Sequence, residues 1–73
     1  MSPKLPVLTG KEAARLVESF GFFYAGQKGS HAKYRNAEGR MTIIPMHGTE
    51  EIGPGLLLRI LNDAGIDPKE LRR

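Results

Sequence analysis

The spacing of apolar residues changes twice along this chain, from helical to alternating and back to helical, and no other feature constrains its fold as tightly. Thr9-Gly10-Lys11-Glu12 forms a capping box, in which the Thr9 hydroxyl and the Glu12 carboxylate satisfy free amides at a helix start. Ala13, Leu16, Val17 and Phe20 then fall at i, i+3, i+4 and i+7, and Gly21 supplies a left-handed stop. This predicts a first helix from Thr9 to near Phe20. From Phe22 the period is two. Phe22 to Lys28 reads as an aromatic-rich strand, Gly29-Ser30 as a two-residue turn, and His31 to Asn36 as the returning strand. Gly39 closes a second turn, and Arg40 to His47 reads as a third strand in which Pro45 marks an edge or a bend. After a loop from Gly48 to Gly53, Pro54 suits a first helical position. Leu57, Ile60, Leu61 and Ala64 then restore the helical stripe until Gly65, and Asp67 to Glu70 cap a last short turn.

A chain of 73 residues holds one core at most, because it buries only about 60% of its unfolded surface. The expected architecture is a single α+β domain over residues 1–73, ordered α-β-β-β-α, with both helices on one face of a three-stranded antiparallel sheet. Its core spans about 9–66, with residues 1–8 extended and residues 67–73 a short helical turn or tail. Apolar residues at 40% and charged residues at 26% belong to a folded chain rather than a disordered one. The absence of cysteine removes disulfides, thiolate chemistry and any zinc site built on sulfur. No apolar run approaches the ~20 residues that span a bilayer, and Met1 to Lys4 lack a signal-peptide core, so the expected location is the cytoplasm, away from membranes.

The net charge of +3 is concentrated in one place. Lys28, Lys33, Arg35 and Arg40 face only Glu38 between positions 28 and 40, and the rest of the chain is balanced. Such a strip is the footprint of a polyanion site or, more blandly, a solvated strand face. A two-residue turn at Gly29-Ser30 pairs Lys28 with His31, Gly26 with Lys33 and Tyr24 with Arg35 on one face. Phe23, Ala25, Ala32 and Tyr34 then lie on the other, beneath the helices. For the third strand two registers remain. A three-residue loop Ala37-Glu38-Gly39 sets Pro45 opposite His31 and His47 one diagonal away, roughly 7–8 Å between backbone positions. A two-residue loop sends His47 to the opposite face.

Cleavage of RNA through its own 2′-hydroxyl requires one proton removed, one delivered to the leaving 5′-oxygen, and cations near the phosphate. Histidine suits the proton steps because an imidazole titrates near neutrality. His31, preceded by glycine and serine and followed by alternating basic residues, is the candidate catalytic residue, with Lys28, Lys33 and Arg35 holding the RNA backbone. Two histidines without a nearby carboxylate give too few ligands for a metal, and Ser30 has no orienting acid for a serine-hydrolase role. The reading therefore calls for no metal and no cofactor. The same strip would serve a non-catalytic module that reads the shape of duplex RNA, or a protein-interaction domain with solvated cations.

Gly29-Ser30-His31 with Lys33-Tyr34, Pro45-Met46-His47-Gly48, Gly55 to Leu61 with Arg59, and Ala64-Gly65-Ile66 together resemble the HicA toxins of toxin-antitoxin systems. The likeness runs from about Thr9 to Ile66 and leaves out Ser2 to Val7. It implies a fold like that of double-stranded-RNA-binding domains, cleavage of messenger RNA, and neutralisation by a HicB antitoxin. It also implies that His31 is the catalytic residue, with Gly29 and Ser30 as its setting. His47 matches a Pro-x-His-Gly stretch and is left as an auxiliary candidate without an assigned role.

Overall fold

The computed structural model describes residues 5–71, so positions 1–4 of the expected extended arm and 72–73 of the expected tail lie outside the described residues. Among the described residues two helices cover one face of a three-stranded antiparallel sheet, an α+β arrangement in the expected α-β-β-β-α order.

Helix α1 (Gly10–Glu18) begins where the capping box places it. The Thr9 amide donates to Glu12 Oε1 at 2.9 Å, and the Glu12 amide donates to Thr9 Oγ1 at 3.3 Å. Ala13, Ala14 and Val17 form its buried stripe. Gly21, at φ 93°, reverses the chain so that the Phe22 amide donates to the Val17 carbonyl at 3.1 Å. The reversal exchanges two aromatics: Phe20, expected on the stripe, is 37% exposed, whereas Phe22 enters the core at 5%.

Strands β2 (Phe23–Lys28), β3 (His31–Arg35) and β4 (Met41–Pro45) lie side by side in that order. Of the two registers open to β4, the three-residue loop is the one formed. His31 pairs with Pro45, Lys33 with Ile43 and Arg35 with Met41. Gly39 takes φ 90°, the Asn36 amide donates to the Arg40 carbonyl at 3.0 Å, and Asn36 Oδ1 accepts from the Arg40 amide at 2.8 Å.

The register of β2 departs from strict alternation. Lys28 pairs with His31 as anticipated, but Ala25 and Gly26 together stand opposite Lys33 in a β-bulge, with Gly26 at φ 126°. One extra residue inverts the parity of everything before it. Phe23 therefore pairs with Arg35 and is 52% exposed on the open face, not beneath the helices, and Tyr24 pairs with Tyr34 rather than Arg35.

Helix α2 (Pro54–Ala64) ends at Gly65 in the left-handed region and is followed by a short 3-10 turn, Pro68–Leu71. A further ladder was not anticipated: β1 (Leu8–Thr9) pairs antiparallel with β5 (Glu51–Ile52). Two residues on each side are too few to show a period, yet they pin the start of α1 to the approach to α2.

Both helices pack against β4 and touch each other, and the core lies between. Val17, Ile44, Leu57, Ile60 and Leu61 are fully buried, each stabilising the fold by about 1.5–3 kcal/mol relative to exposure. Thr42 is buried among them, its hydroxyl donating to the Ile60 carbonyl at 3.1 Å, which ties β4 to α2. Tyr34 is buried and meets the Tyr24 ring edge-on at 5.8 Å. Burial pushes the Tyr34 phenol above its ordinary value, with Glu18 and then Tyr24 adding to the shift.

Two consequences can be measured. A Cβ on Gly10 would collide with the backbone carbonyl oxygen of Pro45, so α1 crosses β4 at a distance that only glycine permits. Gly10→Ala is expected to lower stability by about 1–3 kcal/mol, read as a shifted urea midpoint at unchanged slope; a variant as stable as the parent refutes the close approach. The Tyr34 phenol keeps its proton to higher pH folded than unfolded, so its contribution is complete below about pH 10 and falls as pH rises beyond it. Tyr34→Phe is expected to flatten this alkaline loss in a denaturation series from pH 8 to pH 11.

Candidate active site

His31 opens β3 and is held out by the turn before it. Gly29 takes φ 60°, Gln27 Nε2 donates to the Gly29 carbonyl at 2.9 Å, and the Met46 amide donates to the Ser30 carbonyl at 2.6 Å. The turn is thus braced from β2 on one side and from the end of β4 on the other. Alternation in β3 does the rest: Ala32 and Tyr34 are buried, while His31, Lys33 and Arg35 stand on the uncovered face.

The strand register brings His47 to the same place. Its ring lies 6.3 Å from that of His31, centroid to centroid, with the planes at 84°. Both side chains are exposed and line a cleft of about 420 Å³ together with Ile43, Pro45, Glu50, Glu51 and Arg59. On its other flank His31 borders a hollow of about 510 Å³ shared with Gly26, Lys28 and Lys33. His31 thus stands between an acidic-rimmed cleft and a basic hollow.

Of the residues singled out in the sequence, Lys28, Lys33 and Arg35 are exposed around His31, Gly29 and Ser30 form the turn, and His47 joins the site. Glu50, Glu51 and Arg59 were not foreseen. They arrive from β5, its approach and α2, whose placement beside β4 no local pattern reveals. Arg59 is 3.8 Å from Asp63, an exposed i,i+4 pair of little energetic weight. Among the described residues no three His, Asp or Glu side chains form a group able to hold a metal ion, and no helix is long and apolar enough to cross a membrane.

Residues 10–66 match the family described as HicA toxin of bacterial toxin-antitoxin, a span that includes both histidines and Lys28, Lys33 and Arg35. No curated protein matches the chain.

Arg40, the fourth cation of the basic segment, does not belong to this face. Its side chain turns to the end of α2, where Nη1 donates to the Asp63 carbonyl at 3.4 Å and the guanidinium packs against Gly65. There it meets the negative end of the helix dipole. The four cations therefore divide into three on the open face and one structural clamp. Arg40→Ala is expected to reduce stability by about 1 kcal/mol through lost packing and a lost charged hydrogen bond. Arg35→Ala should stay within about 0.5 kcal/mol of the parent in the same urea titration. Equal losses for the two would contradict the division.

Proposed function

The chain belongs to the HicA toxin family, and from that membership we propose that it is a metal-independent endoribonuclease that cleaves messenger RNA, with His31 as general acid or base. One observation carries the reading: an exposed imidazole at the rim of a braced turn, flanked on the same face by Lys28, Lys33 and Arg35. A sugar-phosphate backbone laid along β2 and β3 meets those cations, which favour its docking and offset charge that develops on the phosphate oxygens. Gly29 and Ser30 carry little side-chain bulk, so the backbone can approach the turn closely. His31 then moves a proton at the scissile link.

Family membership also implies an antitoxin partner. A HicB-type antitoxin that masks the site would meet cations beside exposed apolar groups, since Phe23 and Met41 are 52% and 46% exposed on the same face. Acidic side chains against the cations and apolar ones against this pair are the complementary surface.

His31→Ala is expected to lower RNA cleavage by about 100-fold or more and to abolish growth arrest, with its urea midpoint unchanged because the ring is exposed. His31→Gln separates catalysis from binding. It should still bind RNA, with a salt dependence that Lys33→Ala weakens by about 0.7 in log–log slope, yet fail to cut. A His31→Gln variant as toxic as the parent would leave only a binding function.

A further inference from the structure

His47 has no part in the role given to His31, yet the fold brings the two rings together. With Pro45 opposite His31, the second residue beyond it returns to the same face, and the bond from the Met46 amide to the Ser30 carbonyl fixes that end of β4 against the turn. No side-chain hydrogen bond among the described residues occupies either imidazole. At 6.3 Å between centroids, with the planes at 84°, the rings form an edge-on pair close enough for one phosphodiester lying over them to touch both. The charged groups facing the pair are Lys28 across the turn, Lys33 beside it, Glu50 and Glu51 on the cleft rim, and Arg59 from α2.

We infer that His47 is a second catalytic residue, dividing with His31 the two proton transfers of strand cleavage; the inference rests on the ribonuclease reading. The 2′-oxygen forms a bond to phosphorus and the bond from phosphorus to the 5′-oxygen breaks. One ring, neutral at the start, takes the 2′-hydroxyl proton. The other, protonated at the start, gives its proton to the departing 5′-oxygen. The products are a 2′,3′-cyclic phosphate and a free 5′-hydroxyl, and exchange with water restores both rings. Neither a metal nor a redox partner enters the balance. Single-histidine chemistry would require one ring to serve both oxygens, which lie on opposite sides of the phosphorus in an in-line displacement; two rings across one cleft serve them separately.

The test uses the purified full chain and an oligoribonucleotide with either an ordinary link or one in which sulfur replaces the bridging 5′-oxygen. A sulfur leaving group departs without protonation, so it bypasses the acid and not the base. His31→Ala and His47→Ala are each expected to lose about 100-fold or more on the ordinary link, and the sulfur link should restore one variant and leave the other slow. Restoration of both or of neither overturns the division. So does His47→Ala activity within about threefold of the parent, or the same rescue pattern from Glu50→Gln or Glu51→Gln in place of His47→Ala. His47→Gln should be as slow as His47→Ala at an unchanged urea midpoint, which separates chemistry from folding. A parent that cannot cut RNA refutes the ribonuclease reading itself and this inference with it; an active parent with a dispensable His47 refutes this inference alone.

Discussion

The ladder between β3 and β4 sets the geometry of everything else. Its register places Ala32, Tyr34, Thr42 and Ile44 on the covered face, and these four are buried. A slip of one residue would either carry Lys33 beneath the helices or lift Ile44 into water. An unpaired ammonium in that core costs several kcal/mol, so the apolar pattern of two strands excludes the alternative. The outward position of His31 follows from what its neighbours must bury. Position 47 depends on the same register.

Much of this could be read along the chain because the signals are local. The capping box at Thr9, the glycine stop at Gly21, proline at the start of α2 and glycine at its end each act within a few residues. The Gly29-Ser30 turn is of the same kind, and it is what made His31 and its flanking cations visible in sequence. Parity across a bulge is different. Ala25-Gly26 fits an alternating strand equally well with or without an extra residue, and only pairing against β3 reveals that Phe23 faces outward. The β1–β5 ladder and the turn of Arg40 toward α2 depend likewise on contacts between distant segments.

The charge distribution acquires its meaning only in three dimensions. In sequence four cations form one strip; in the fold Arg40 leaves it, while Glu50, Glu51 and Arg59 close in from elsewhere. His31 is left on a boundary, with Lys28 and Lys33 on one flank and two carboxylates on the other. The β2–β3 side presents cations to a polyanion, while in the cleft Arg59 stands beside Glu50 and Glu51. An uneven distribution of this kind would orient a polyanion more than a uniform basic patch would, because a patch of one sign attracts without choosing a direction.

A domain this small has little stability to spare for a strained site. The structure avoids the conflict by separating the two tasks across the sheet. Interactions that hold the fold, such as the Thr42 hydroxyl on the Ile60 carbonyl and Arg40 on the end of α2, lie on the helix side or at its border. Both imidazoles and the three free cations lie on the other, solvated and making no contact that the core requires. Surface groups of this kind change folding by less than about 0.5 kcal/mol when replaced. The open face can therefore vary in its chemistry, or be covered by a partner, while the register that aims it stays fixed from beneath.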